Sequence, residues 1–296
     1  MDKNILCCDW GTTSFRLRLV EIQNYKVLAE YLTKDGVAGT FRAWKEQNEL
    51  SRFDFYAAIL KDSINELAKK SLFNLDSIPI IVSGMASSSI GMEELPYAEL
   101  PFESNGSQAS VRVFKDFNGE DSPLVLVSGL KSHEDVMRGE EAQLIGLIKL
   151  NEISIQASEK IVFVFPGTHS KHIMVQDRFV IDFQTFMTGE IYNILSEYSI
   201  LKDSVLSSSG AGLKDPDEIK AFLKGVEISG TSSLLHNLFT VRTGQLFGQF
   251  SKEQNSFYLS GLLIGSELRQ LKEGNYDQLV ICSGEHLYDH YKLAAE

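Results

Sequence analysis

Two short turns hold most of the residues in this chain that could do chemistry. DWGTT (Asp9–Thr13) follows an apolar run from Asn4, and PGTHSK (Pro166–Lys171) follows IVFVF at Ile161–Phe165. Successive backbone N–H groups in a glycine-containing turn form a concavity suited to phosphate, and hydroxyl side chains add donors. In the first turn Gly11 allows close backbone approach, and Thr12 and Thr13 supply hydroxyls. Asp9, at a strand end, offers the oxygen that a hard cation such as Mg²⁺ prefers. The second turn, Gly167–Thr168–His169–Ser170–Lys171, adds an imidazole and an ammonium. The plainer readings are a hairpin whose Asp and Thr satisfy the turn, and a loop with a solvated lysine. Neither G-x-x-x-x-G-K-[ST] nor G-x-G-x-x-G occurs, so P-loop and Rossmann readings both fail.

Three further stretches carry acids or hydroxyls. In SHEDVMRGEEAQLIGLI (Ser132–Ile148), Glu140 and Glu141 fall in the first turn of an expected helix, where carboxylates favour the helix dipole. Their alternative role is general base beside Arg138, taking the proton from an attacking hydroxyl. DFQTFMTGE (Asp182–Glu190) combines strand, hydroxyl turn and helix start, with Glu190 read as a capping carboxylate. SGMASSSIGM (Ser83–Met92) is a glycine- and serine-rich loop.

These groups need elements to position them. Apolar patterning predicts strands at Asn4–Cys8, Phe15–Ile22, Lys26–Tyr31, Pro79–Val82, Leu124–Val127, Ile161–Phe165, His172–Gln176, Phe179–Phe186 and Leu279–Cys282. Helical spacing predicts Phe53–Lys70, with Phe55, Ile59, Leu60, Ile64 and Leu67 on one face. Helices are also expected at Glu218–Glu227, Ser232–Leu238 and Phe257–Leu271, and after the final strand. A strand, a polar Gly-Thr turn and further strands occur twice, which suggests two halves of similar topology. The 296 residues suit one large or two medium domains, and 43% hydrophobic with 23% charged residues is a globular composition. A net charge of −12 argues against nucleic acid or anionic membrane as the main partner. The odd cysteines Cys7, Cys8 and Cys282 are expected as buried free thiols in a reducing cytoplasm. MDKNILCCDW has no signal-peptide pattern, and no apolar run approaches a membrane span; a cytoplasmic protein is expected.

DWGTTSFR, SGMASSSIGM, VMRGEEAQLIG, PGTHSK, DFQTFMTGE and SGLLIGSE, in that order, resemble the 2-dehydro-3-deoxygalactonokinase family from Ile5 to about Tyr291. DWGTT alone marks only the wider superfamily of hexokinase, actin and glycerol kinase. The resemblance implies two α/β, ribonuclease-H-like domains, residues 1–152 and 153–296, with an ATP cleft between them. It implies ATP-dependent phosphorylation of the 6-hydroxyl of 2-dehydro-3-deoxy-D-galactonate. A related 2-keto-3-deoxy sugar acid, a phosphohydrolase and a non-catalytic sensing module are the alternatives; nucleic acid and membrane are excluded as partners, and a homodimer is left open.

Carried over by position, Asp9 is the expected Mg²⁺ ligand. Gly11, Thr12, Thr13, Gly167, Thr168, His169 and Lys171 would hold the phosphates. Glu141 is the first choice of base, ahead of Glu140 and Asp135. Arg16 and Arg138 would meet the substrate carboxylate or the transferring phosphoryl. Ser83, Gly84, Met85, Ser88, Ser89 and Gly91 would line the sugar-acid pocket, and Gly261, Gly265, Ser283 and Gly284 the adenosine pocket. Ser87, Ser89 and Met92 stand where the family has Gly, Asn and Trp; Gln184 replaces an Arg, and Gly284–Glu285 a Gly-Thr.

Overall fold

Each half of the chain begins with a three-stranded antiparallel meander, and a later strand returns parallel to the first. The computed structural model describes residues 3–47, 49–150, 155–206, 212–272 and 274–296, the side chain of Glu285 excepted. It divides into two compact units, Met1–Ser154 and Ile155–Glu296. The boundary expected at 152/153 lies outside the described residues.

The first unit contains β1 (Asn4–Trp10), β2 (Phe15–Glu21), β3 (Val27–Thr33), α1 (Val37–Glu46), α2 (Arg52–Ser71) and β4 (Ile80–Gly84). It continues with β5 (Ala98–Glu99), β6 (Phe102–Glu103), β7 (Val111–Phe114), β8 (Leu124–Val127), β9 (Leu130–Lys131), β10 (Val136–Met137) and α3 (Glu140–Lys149). The main sheet has the order β3-β2-β1-β4-β8-β7, with β1, β4 and β8 mutually parallel. Strict alternation in FRLRL sends Phe15, Leu17 and Leu19 inward and leaves Arg16 and Arg18 outside. These join Leu6, Cys8 and Trp10 in a core covered by α2 through Leu60, Ile64 and Leu67. Phe55 and Ile59 are only partly buried, and Tyr56 takes the central place on the helix. Its hydroxyl donates to the Ile90 carbonyl at 2.6 Å. Ser51 accepts from the Asp54 amide and caps the helix.

The second unit has β11 (Lys160–Phe165), β12 (Ser170–Gln176), β13 (Phe179–Phe186), α4 (Thr188–Tyr198), α5 (Pro216–Ile228), α6 (Leu234–Leu246), α7 (Lys252–Lys272), β14 (Gln278–Ile281) and α8 (Glu285–Ala295). Its strands run β14-β11-β12-β13, with β14 parallel to β11. Meander first, then a parallel strand beside β1 or β11: this is ribonuclease-H-like topology in both units.

Sequence patterning did not reveal α1. Its residues VAGTFRAWKE carry Val37, Phe41 and Trp44 at i, i+4 and i+7, but the stripe is short and only Val37 and Thr40 are buried. The cysteine expectation needs correcting. Cys8 is buried, but Cys7 and Cys282 are only half-buried; all three are free. Neighbouring strand residues face opposite ways: Cys8 points into the core under α2 and Cys7 to the other face of the sheet.

Helices α5 and α7 touch backbone to backbone. A β-carbon on Gly261 would lie 2.1 Å from the Phe222 carbonyl oxygen, and one on Gly225 would lie 2.2 Å from that of Tyr258. Gly261→Ala must push the helices apart, so it should lower unfolding free energy by about 1–3 kcal/mol or more. Chemical denaturation checks this; an unchanged midpoint would contradict the close approach.

Candidate active site

In open α/β sheets, ligands bind beyond the carboxyl ends of the parallel strands. In the first unit those ends bring three of the sequence motifs together. Gly84 closes β4 with φ +86°, and a β-carbon there would lie 2.9 Å from the Trp10 carbonyl oxygen and 3.2 Å from Asp9 Oδ1. Gly139, with φ +107°, brings the start of α3 against it: its β-carbon would lie 3.5 Å from Gly84 Cα. Asp9, the Ser83–Met92 loop and the VMRGEE segment therefore meet at one point.

The turn after β1 is braced from behind. The Gly11 amide donates to the Ser14 carbonyl at 2.8 Å, and the first amides of α1, Val37 and Ala38, donate to the carbonyls of Gly11 and Thr12. Gly36 lets α1 come this close, since a β-carbon there would sit 2.3 Å from the Thr12 oxygen. Thr12 and Thr13 are left exposed. Arg16 pairs with Asp9 Oδ2 at 2.8 Å; both are partly exposed, so the pair contributes at most about 1 kcal/mol to stability.

The loop after β4 is a single 3₁₀ turn, Met85–Ser87, folded tightly enough that a β-carbon on Gly91 would lie 2.2 Å from the Ala86 oxygen. Ser88 is buried, Ser89 exposed, and Ser83 and Met85 intermediate. Arg138 ties the loop down. Its guanidinium donates to Ser87 Oγ at 2.6 Å, Ser128 Oγ at 3.2 Å and the Leu95 carbonyl at 3.2 Å, and lies 4.0 Å from the Tyr97 ring centroid. Expected to meet substrate, Arg138 is instead largely engaged by the protein. Ser87 thus has a structural use where the family has glycine, and Met92 lies in the core rather than on the loop's surface.

Glu141, the first choice of base, is enclosed. It is 3% exposed, and both carboxyl oxygens accept from the Gly139 amide, at 2.9 and 2.8 Å. Burial pushes its pKa up to about 8, against the lowering effect of the backbone N–H groups and Arg138. Both of its oxygens are thus taken up by the start of α3 rather than presented to a ligand. Glu141 closes the first turn of α3. Glu140, its half-buried neighbour, and Asp135, which accepts from the Val136 amide, are the remaining acids of the segment.

In the second unit the PGTHSK turn is held by the start of α4. The Glu190 amide donates to the Thr168 carbonyl at 3.0 Å, and His169 Nε2 meets Glu190 Oε2 at 2.5 Å. A β-carbon on Gly189 would lie 2.5 Å from the Gly167 oxygen. Gly167, Thr168, Thr188 and Gly189 form the polar end of a cavity of about 400 Å³. Its walls come from α4 (Tyr192, Asn193), α7 (Phe257, Ser260, Leu263) and α8 (His286, Tyr291), among others.

Two expectations for this unit are corrected. Lys171 does not project from the turn: it is 6% exposed on β12 and donates to Thr185 Oγ1 at 2.6 Å, while Ser170 and His172 face α7. Strand alternation puts it on the opposite face. Gly261 and Gly265 face α5, not the cavity; a β-carbon on Gly265 would lie 2.5 Å from Ser229 Oγ. The cavity face of α7 is Ser256, Phe257, Ser260, Leu263 and Ile264, as the 3.6-residue period could have shown. Ser283 and Gly284 lie between β14 and α8, just before the α8 residues of the cavity wall. Among the described residues no cluster of three or more His, Cys, Asp or Glu could hold a metal by itself.

Two ribonuclease-H-like units, each with a braced glycine–hydroxyl turn, define the class to which this α/β protein belongs. A family model described as 2-keto-3-deoxy-galactonokinase matches residues 9–296, and the chain belongs to that family. It is 32% identical over 228 residues to the 2-dehydro-3-deoxygalactonokinase of Escherichia coli K12, covering 74% of this chain and 70% of the relative. A Rhizobium meliloti relative described as a "probable 2-dehydro-3-deoxygalactonokinase" is 29% identical over 294 residues, or 97% of this chain and 87% of the relative. A crystal structure from Sinorhizobium meliloti, described as that of a "putative 2-dehydro-3-deoxygalactonokinase", matches with a TM-score of 0.77 at 27% identity, over 98% of this chain and 87% of that one.

The Glu141 environment has a consequence for stability. An unfolded glutamate ionises near its ordinary value, while folded Glu141 holds its proton up to about pH 8. Between those values the folded state binds more protons, so stability falls as pH rises. Glu141→Gln has no proton to lose. Its stability relative to the parent should climb from pH 5 to pH 8, by up to ~1.4 kcal/mol per unit, and level off above. Denaturant midpoints across pH check this; parallel profiles would contradict the assignment.

Proposed function

We propose that this protein transfers the γ-phosphoryl group of ATP to the 6-hydroxyl of 2-dehydro-3-deoxy-D-galactonate. The observation that carries the reading is the meeting of Asp9, Gly84 and Gly139 at the carboxyl ends of β1 and β4, in a chain of this kinase family. In phosphoryl transfer a protein mainly positions the reactants and neutralises charge on the phosphoryl oxygens.

Gly11, Thr12 and Thr13 would receive phosphate from the first unit. In the second, the cavity behind Gly167 and Thr168 suits a nucleoside, with apolar walls and a few polar groups. Asp9 fits Mg²⁺: its Oδ1 faces space kept clear by the missing β-carbon of Gly84, and a hydrated ion bound through one carboxylate and substrate phosphates needs no larger cluster. Such an ion would offset charge on the β- and γ-oxygens.

The sugar acid would lie along Ser83–Gly91, whose shape is set by Arg138 through Ser87. A C6 hydroxyl does not ionise at neutral pH, so a carboxylate must accept its proton as the new bond forms. We assign that role to Glu140, the first residue of α3, because Glu141 is closed off. A cytoplasmic location accords with ATP as donor.

The direct test is ADP release across 2-keto-3-deoxy sugar acids, including both C4 epimers, with ATP alone as the hydrolysis control. Release that does not depend on sugar acid would make the protein a phosphohydrolase and overturn the proposal. Asp9→Asn should abolish turnover with the fold intact. Among Glu140→Gln, Glu141→Gln and Asp135→Asn, Glu140→Gln should lower kcat most, by roughly 100-fold or more; a milder loss than for Asp135→Asn would reassign the base.

A further inference from the structure

Glu267 ends the SGLLIGSE motif, and none of the chemistry above uses it. It is 3% exposed, near the end of α7, and four donors converge on its carboxylate. Ser170 Oγ donates to Oε1 at 2.6 Å, and His172 Nε2 meets the same oxygen at 2.9 Å. The Thr188 hydroxyl donates to Oε2, as does the Tyr291 hydroxyl at 2.8 Å. A carboxylate offers about four acceptor sites, so this one is filled. The other ring nitrogen, His172 Nδ1, is buried with no hydrogen-bond partner among the described residues.

The four donors come from the parts that build the cavity. Ser170 and His172 begin β12, directly after the Gly167–His169 turn; Thr188 opens α4; Tyr291 belongs to α8. Thr188 and Tyr291 line the cavity, yet both turn their hydroxyls away to the carboxylate behind the wall. We propose that Glu267 is a positioning residue for the nucleotide: its four hydrogen bonds fix the separation of the Gly167–His169 and Thr188–Glu190 turns. The inference rests on the reading of the cavity as the nucleotide site.

A glutamine at 267 keeps the volume but offers one accepting oxygen and a donating amide. On the Oε2 side the Thr188 and Tyr291 hydroxyls would have to turn round and accept. The turns would shift while the core stays filled, and small misplacements cost rate and affinity steeply. Glu267→Gln should therefore raise KM for ATP by roughly tenfold or more and lower kcat, leaving KM for the sugar acid within about twofold.

Ser170→Ala removes one of the four bonds at a fully buried residue that cannot touch a nucleotide, and should move KM for ATP the same way by less. The double variant should show less than the sum of the two effects. The experiment is steady-state kinetics of both variants alongside Ser260→Trp, which fills the cavity. If Ser260→Trp raises KM for ATP and neither other variant does, Glu267 only holds the fold and the inference falls. If Ser260→Trp leaves KM for ATP unchanged, the cavity is not the nucleotide site and both readings fall. If Glu267→Gln does not fold, Ser170→Ala decides alone.

Discussion

The end of β4 can lie against the end of β1 only because residue 84 has no β-carbon. Any side chain there would collide with the Trp10 carbonyl, and the positive φ would strain it as well. Everything assigned to the first unit follows from that approach. It keeps open the space in front of Asp9 Oδ1, starts the serine loop at the sheet's edge and admits Gly139, which brings α3 with it. Gly139 then presents its amide to Glu141, and the next position, Glu140, stands at the helix start.

The second unit adds polar contacts to missing side chains in solving its positioning problem. The Gly167–His169 turn has α4 in front of it, through Gly189 and the His169–Glu190 pair, and Glu267 behind. Buried polar groups are costly unless satisfied, and a filled carboxylate holds four elements in one arrangement. The apolar part of the cavity wall needs no such device, because α7 is pinned against α5 by glycines on its other face.

Arg138 and Lys171 show how burial changes the meaning of a charge. Both were expected at substrate or phosphate. Arg138 is spread over Ser87, Ser128, Leu95 and Tyr97, and Lys171 lies under the sheet beside Thr185. A cation with hydrogen-bond partners on the protein shapes a site more readily than it enters one. The same holds for Glu141, whose acid residue type was legible but whose enclosure was not.

Strand alternation in FRLRL, the unbroken apolar run IVFVF, the glycine–hydroxyl turns and the helical stripe of α2 are local patterns, and the sequence by itself determined them. It also determined the two-fold repeat of meander and turn, because each depends on neighbours within a few residues. Tertiary structure alone decided which of two adjacent glutamates is buried, which face of α7 lines the cavity and which carries Gly261 and Gly265. It also decided that α1, whose short stripe buries only Val37 and Thr40, sets its first amides on the Gly11 and Thr12 carbonyls. The physical reason is that burial, hydrogen-bond partners and pKa belong to what a side chain packs against, and those partners lie tens of residues away: Ser170 and Glu267 are 97 positions apart.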